Sequence, residues 1–260
     1  MTLWQAALLG VLQGLTEFLP VSSSGHLALA QLLIPGFSQP GVVFDAMLHV
    51  GTAAAVVWFE RRQIVKWASN AAGRRILGLL VIGTAATAVV AFPLRPTAIA
   101  AFHRPVFVGA ALIVTGCVVA ATRLLPGGPS GESDTAWRQA AAVGLAQGLA
   151  VFPGLSRSGV TIAVGLGNGM EREWAARFSF LLAVPVITAA TVVEVAGAWE
   201  FGDGLSAAFA AACVLGSVCA GVTGYYALRV VIKTVTSNVF HRFGWYAVPL
   251  GLGVVLWGLR

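Results

Sequence analysis

The sequence predicts an all-α polytopic membrane protein: about six transmembrane helices plus two re-entrant helical hairpins in an inverted-topology repeat, forming one domain over 1–260. Three observations carry this. The chain holds only 16 Lys/Arg and 10 Asp/Glu in 260 residues and is 58% apolar, whereas a soluble domain carries roughly 25% charge. Its apolar runs are long and unbroken, unlike the alternating ten-residue segments of an outer-membrane barrel. Two further apolar stretches carry Pro/Ser/Gly breaks and match each other in sequence.

The elements follow in chain order. Thr2–Ile34 is apolar but broken at Pro20-Val21-Ser22-Ser23-Ser24-Gly25. Hydrocarbon cannot satisfy a broken backbone, so such a break survives at membrane depth only inside protein or beside a wet cavity. This makes a re-entrant hairpin. Met1–Pro20 lacks a basic n-region and an A-x-A-like site, so it reads as part of the fold and not as a signal peptide. Val42–Glu60 is the first full span, and the basic stretch Arg61–Arg75 follows it. Ile76–Phe92 and Val106–Arg123 are the second and third. Trp137–Met170 is the second broken stretch, interrupted at Pro153-Gly154-Leu155-Ser156-Arg157-Ser158-Gly159. Phe178–Ala198, Ser206–Leu228 and Phe243–Leu259 complete the six.

With Arg61–Arg75 placed inside, twelve Lys/Arg fall on the inner side and only Arg95, Arg104 and Arg260 outside, as the positive-inside rule requires. The loop with Glu200 and Asp203 falls outside, and both termini face outward. The net charge of +6 forms no basic stripe, so no nucleic-acid partner is expected. Cys117, Cys213 and Cys219 lie in apolar runs and read as small packing residues. Trp58, Trp67, Tyr225, Tyr226, Trp245 and Trp257 read as an interfacial belt, and His103 and His241 as solvated loop residues.

The two broken stretches align without gaps at an offset of 134. Gln5–Gly25 and Gln139–Gly159 share 11 of 21 positions, and the same offset pairs Phe44 with Phe178, Leu48 with Leu182 and Glu60 with Glu194. Repeat units of about 5–60 and 139–194 result. Three spans separate the hairpins, so the second copy is inverted. Such folds place a binding site at the repeat interface, near the midplane. Stable packing alone accounts for the paired glycines Gly10/Gly144 and Gly14/Gly148. It does not account for where the copies diverge.

Divergence concentrates at the breaks. Glu17, Ser23 and His26 of the first copy stand opposite Val151, Arg157 and Val160 of the second. Both breaks are hydroxyl-rich, with Ser22, Ser23 and Ser24 in one and Ser156, Ser158 and Thr161 in the other. Each precedes a short helix whose N-terminus favours an anion. Two tips that meet would surround an anion with the Arg157 guanidinium, whose planar fork suits phosphate. A charge at the bilayer centre costs at least ~3 kcal/mol, so Glu17 and Arg157 mark function, or else a structural ion pair. Ser22 and Ser24 read equally as helix caps, and His26 as a packed core histidine. Gln13 and Glu17 share one helix face and could hold a hard divalent cation. Ser23 and His26 suit a hydroxyl beside a base. Asp45 and His49 form another i, i+4 pair that either extends the site or packs as a polar pair.

The stretches QGLTEFLPVSSSGH (Gln13–His26) and PGLSRSGVT (Pro153–Thr161) resemble the two signature motifs of the undecaprenyl-diphosphate phosphatase family of the bacitracin-resistance type. FDAMLHVGT (Phe44–Thr52) and FSFLLAVP (Phe178–Pro185) are also similar to that family, and the resemblance runs over nearly the whole chain. It implies a bacterial plasma (inner) membrane phosphatase that converts undecaprenyl diphosphate to the monophosphate carrier for peptidoglycan synthesis and confers bacitracin resistance. It implies a divalent cation, Mg or Ca, held by Glu17 and Gln13, where many members have a second Glu. It implies Glu17, Ser23 and His26 as catalytic residues. Substrate-binding roles fall to Arg157, Ser156, Ser158, Thr161, Ser22 and Ser24. The expected partners are the prenyl diphosphate lipid and membrane lipids, with homodimer assembly left open. Two rival readings are a transporter or flippase of an anionic lipid or solute, with Glu17 and His26 coupling protons, and a catalytically dead scaffold.

Overall fold

A computed structural model describes residues 1–34, 42–69, 71–102, 104–200 and 206–260. His103 and Asp203 lie outside the described residues. The described residues form ten α-helices: α1 (Leu3–Phe18), α2 (Ser23–Leu33), α3 (Val42–Ala68), α4 (Ala71–Phe102), α5 (Pro105–Ala121), α6 (Trp137–Leu149), α7 (Arg157–Gly167), α8 (Arg172–Glu200), α9 (Ala207–Thr236) and α10 (Gly244–Gly258). The only β pairing among them is an isolated bridge between Ser130 and Met170. The chain is an all-α, multi-pass membrane protein. Five helices are long and apolar enough to cross a bilayer, those over Val43–Ala68, Gly73–Phe102, Pro105–Leu124, Arg172–Gly197 and Ala207–Thr236.

The sixth expected span is shorter than the sequence suggests. Phe240–Phe243 forms a 3-10 turn, and α10 itself has 15 residues. At 1.5 Å per residue that is about 22 Å, against ~30 Å of hydrocarbon. The other spans run further than their apolar cores, because the polar ends of α3, α4 and α8 continue the helix beyond the apolar window.

The breaks end α1 and α6, and a new short helix starts after each. Ser22 caps α2 by accepting from Gly25 N at 3.4 Å, and Ser156 caps α7 by accepting from Gly159 N at 3.2 Å. Ser22 has φ +68°, a conformation that is costly for a residue with a Cβ. Its carbonyl nevertheless accepts His26 N at 3.2 Å. Gly154, at φ +95°, lets the second tip press against α5, where a Cβ would lie 2.4 Å from Val108 O. Thr115 of α5 latches that tip, donating to Gly154 O at 2.8 Å and accepting from Ser156 N at 2.9 Å.

Packing recurs in pairs. Helix α1 meets α9 where a Cβ on Gly10 would lie 2.3 Å from Gly216 O, and α6 meets α4 where a Cβ on Gly144 would lie 2.2 Å from Gly83 O. Such contacts let backbones approach in an environment that offers no hydrophobic drive between helices. The main core gathers around the second hairpin and α8, with Phe18, Ile162, Met170, Trp174, Phe178 and Phe180 buried. Phe18 and Phe180 meet edge-on at 5.5 Å, which ties the first hairpin to α8.

Three polar or aromatic residues sit differently from what the sequence suggests. Trp67 is not in an interfacial belt: it is buried and donates to Glu132 Oε1 at 2.5 Å. Trp58, Tyr226, Trp245 and Trp257 are exposed, as a belt requires. Arg177 is more than a topology marker, since its guanidinium clasps the buried Glu60 carboxylate at 2.8 and 2.5 Å. His241 sits in the 3-10 turn with Nδ1 buried and unpartnered, so it is not a freely solvated loop residue.

Candidate active site between two hairpin tips

The two tips meet. Ser158 Oγ donates to Leu19 O at 3.3 Å, and Gly159 packs on Pro20. This brings Glu17, at the end of α1, beside Arg157, at the start of α7. Arg157 Nη2 donates to Glu17 Oε1 at 2.6 Å. The other carboxylate oxygen, Oε2, accepts from Ser23 Oγ at 2.6 Å and from Gln13 Nε2 at 2.9 Å. Glu17 is buried, with 6% of its side chain exposed. Arg157 also lies 6.0 Å from the centre of the Phe18 ring. One carboxylate thus joins residues 140 positions apart in sequence, in a water-poor setting where charged hydrogen bonds are strong.

The remaining expected residues divide. Ser22 and Ser24 turn their hydroxyls toward each other at 3.3 Å beside the α2 cap. His26 does not reach Ser23 or Glu17. Its Nδ1 donates to Ser22 O at 2.8 Å, which leaves Nε2 to accept from Tyr246 Oη at 2.8 Å. Ser156, Ser158 and Thr161 are buried and bonded within the protein. The Ser156 and Ser158 hydroxyls lie 3.2 Å apart, and Thr161 Oγ1 donates to Arg157 O at 2.7 Å and meets Ser179 Oγ at 2.5 Å. In this arrangement they fix the start of α7 and so aim Arg157.

The sequence pairs His49 with Asp45 on α3, either extending the site or packing as a polar pair. The structure puts its Nδ1 2.9 Å from Gln13 Nε2 and 3.4 Å from Glu17 Oε2. Asp45, its i−4 neighbour, turns to α2 and accepts from Gln31 Nε2 at 3.0 Å. Glu194 of α8 lies within electrostatic reach of His49, Asp45 and Arg95. The usable signal for His49 was its spacing from Asp45 inside an otherwise apolar span.

The donor set fits a divalent cation. Glu17 supplies an anionic oxygen, and the Gln13 amide oxygen is buried with no hydrogen-bond partner. The amide now presents Nε2 to Glu17; turned over, it would set its unsatisfied oxygen beside the carboxylate, an arrangement a hard cation satisfies. No group of three His/Cys/Asp/Glu suited to a metal occurs among the described residues, so any cation here also relies on an amide. An apolar groove of about 540 Å³ opens between α3 and α9, lined by Val50, Gly51, Ala54, Trp58, Val218 and Tyr226.

The sequence that builds this site matches known proteins along almost its whole length. The model of the family described as bacitracin resistance protein BacA covers residues 6–253. The chain belongs to that family. An undecaprenyl-diphosphatase of Desulfosudis oleivorans is 42% identical, with 98% of each chain covered. One from Syntrophotalea carbinolica is 40% identical over 96% of this chain and 97% of its own. One from Treponema denticola is 36% identical over 99% of both. Like these BacA-family relatives, the chain carries its family likeness along almost its full length.

Proposed function

We infer that this chain is an integral membrane phosphatase that hydrolyses undecaprenyl diphosphate to undecaprenyl phosphate and inorganic phosphate. That reaction recycles the lipid carrier for peptidoglycan synthesis and underlies bacitracin resistance. One observation carries the reading: Glu17 holds Ser23 Oγ on one oxygen and Arg157 on the other, each at 2.6 Å. A nucleophile, its base and an anion clamp therefore share one buried carboxylate.

Arg157 leaves Glu17 for the terminal phosphate, which presents more negative charge and two oxygens to its fork. Glu17, freed of its counter-ion, takes the Ser23 proton as Ser23 Oγ forms a bond to the terminal phosphorus. The anhydride bond breaks, and the electron pair leaves on the lipid monophosphate. The lipid phosphate leaves as an anion, and the proton on Glu17 passes through water to the lone pair of His26 Nε2, one turn along α2. Glu17, ionised again, takes a proton from the water that attacks the phosphoserine, and returns it to Ser23 Oγ as the phosphoserine bond breaks and inorganic phosphate leaves. A divalent cation on Glu17 and the Gln13 amide oxygen would offset charge on the phosphoryl group. Ser156, Ser158 and Thr161 hold the α7 start, and Ser22 and Ser24 hold the α2 start. The prenyl tail lies in the groove that begins at Val50.

The protein sits in the plasma membrane. With α10 as its sixth crossing, both termini face outward and the hairpins enter from opposite sides as an inverted repeat. The test is phosphate release from a prenyl diphosphate by purified protein in detergent, where transport has no meaning. Activity that requires a divalent cation and is lost in Glu17→Ala and Arg157→Ala is expected. Near-normal release by either variant sinks the assignment, and transport without release would favour the flippase reading.

A further inference from the structure

Three polar side chains converge at one point of the site, and only two belong to the cation pair described above. They are Glu17 Oε2, the inner end of the Gln13 amide, and His49 Nδ1. Their separations are 2.9 Å from Gln13 to Glu17, 2.9 Å from Gln13 to His49, and 3.4 Å from His49 to Glu17. Ligands about 2.1 Å from an octahedral metal stand about 3.0 Å apart along an edge. The triangle therefore has the dimensions of one octahedral face.

The Gln13 nitrogen fills the inner position and donates to both neighbours, while its oxygen is buried without a partner. The amide is fully buried, yet its own network does not satisfy it. A half-turn of the amide exchanges O and N without changing its shape. An oxygen would then face a carboxylate oxygen and an imidazole nitrogen, each 2.9 Å away. With His49 Nδ1 carrying no proton, three such acceptors repel one another unless a cation lies between them. His49 is reachable, with 32% of its side chain exposed, while Glu17 is enclosed.

We propose that His49 Nδ1 is the third protein ligand of the divalent cation, completing a facial Gln13–Glu17–His49 set. This rests on the cation reading of Gln13 and Glu17. An imidazole nitrogen suits first-row metals such as Mn²⁺ better than Ca²⁺, which prefers an all-oxygen shell. The remaining three positions would be left for phosphate oxygens and water. Arg157 stays on the other Glu17 oxygen until substrate arrives, so cation and guanidinium flank one carboxylate.

The test uses full-length protein in detergent titrated with Mn²⁺, read by pulsed EPR for nitrogen coupling and by calorimetry for affinity. Histidine-directed ¹⁴N modulation is expected in the native protein, changing its frequency when all histidines carry ¹⁵N. His49→Gln should remove that modulation and weaken Mn²⁺ binding by about tenfold or more, with Ca²⁺ affinity changed far less. Mn²⁺ bound without histidine coupling overturns the His49 ligand and leaves the Gln13–Glu17 reading standing. Mn²⁺ binding that is undetectable, or indifferent to Glu17→Gln, overturns both. Should His49→Gln fail to fold, the ¹⁵N-histidine experiment on native protein decides alone.

Discussion

Removing the Arg157 side chain should separate two quantities that one ion pair ties together. In Arg157→Ala the Glu17 carboxylate keeps Ser23 and Gln13 on Oε2, with His49 at 3.4 Å, but loses its one strong cation on Oε1. Breaking a buried pair from one side costs about 3–5 kcal/mol. The three surviving partners put this case at the lower end, about 3 kcal/mol. Phosphate release loses a charged donor aimed at the transferred phosphoryl group, worth about 10²–10³ in rate. The pair Glu17→Gln/Arg157→Ala then leaves an amide where a bare carboxylate stood. Most of the stability should return, with a coupling energy of about 2 kcal/mol in the double-mutant cycle, while activity stays lost. The assays are unfolding by SDS titration in mixed micelles, followed by tryptophan fluorescence, and phosphate release from a prenyl diphosphate. Two results refute the reasoning: Arg157→Ala activity within about threefold of native, or a double variant no more stable than Arg157→Ala alone.

Four further outcomes are expected. Arg177→Ala strands the fully buried Glu60, so it should cost about 3 kcal/mol or more, and Glu60→Gln on that background should recover much of it in the same SDS titration. Gly10→Ala and Gly144→Ala each drive a methyl to within 2.3 and 2.2 Å of a facing carbonyl. Each should cost about 1–3 kcal/mol, whereas Gly78→Ala, with nothing within 4 Å of its Cβ, should be neutral or stabilising by up to about 1 kcal/mol; equal losses at all three would disprove the close-contact account. Tyr246→Phe removes one hydrogen bond, about 1 kcal/mol, but leaves His26 anchored to Ser22 O, so phosphate release should fall much less than the 10²-fold or more expected for His26→Ala. Chelation should abolish phosphate release, and added Mg²⁺ or Mn²⁺ should restore it; activity that survives exhaustive chelation counts against a cation on Glu17.

The hairpins were legible because a Pro/Ser/Gly break in an apolar run admits few explanations at membrane depth. Glu17 and Arg157 were legible for a related reason: a charge inside such a run needs a partner or a task. What stayed hidden was pairing across long separations. Glu60 and Arg177 are 117 positions apart, and His26 and Tyr246 are 220 apart. Neither has a local spacing that announces it, so Arg177 looked like one more inner-side base. Hydroxyl direction was hidden too. The Ser/Thr residues of the second break look like anion donors by type, but Ser158 and Thr161 are completely buried and bonded to protein. His49 fell between these cases, since its spacing from Asp45 was visible but its contact with Gln13, 36 positions away, was not.

The repeat also explains why there is one site and not two. At the offset of 134, Glu17 corresponds to Val151, His49 to Ala183 and Arg157 to Ser23. The contact between Glu17 and Arg157 therefore has a counterpart between Val151 and Ser23. A fully symmetric pair of sites would need four charges at the tips, each costing at least ~3 kcal/mol on insertion scales, with both arginines facing the same anion. Keeping one ion pair halves that cost. It also leaves the position that would have carried the second arginine free for Ser23, which lies on the Glu17 carboxylate at 2.6 Å. Gln13 and its counterpart Gln147 survive in both copies, but Gln147 donates only to Thr87 Oγ1 and Leu182 O. The same amide packs helices in one half and meets Glu17 and His49 in the other. One position of the repeat thus carries Ser23, bonded to Glu17 Oε2, in one copy and Arg157, bonded to Glu17 Oε1, in the other. Symmetric packing is what brings the two face to face.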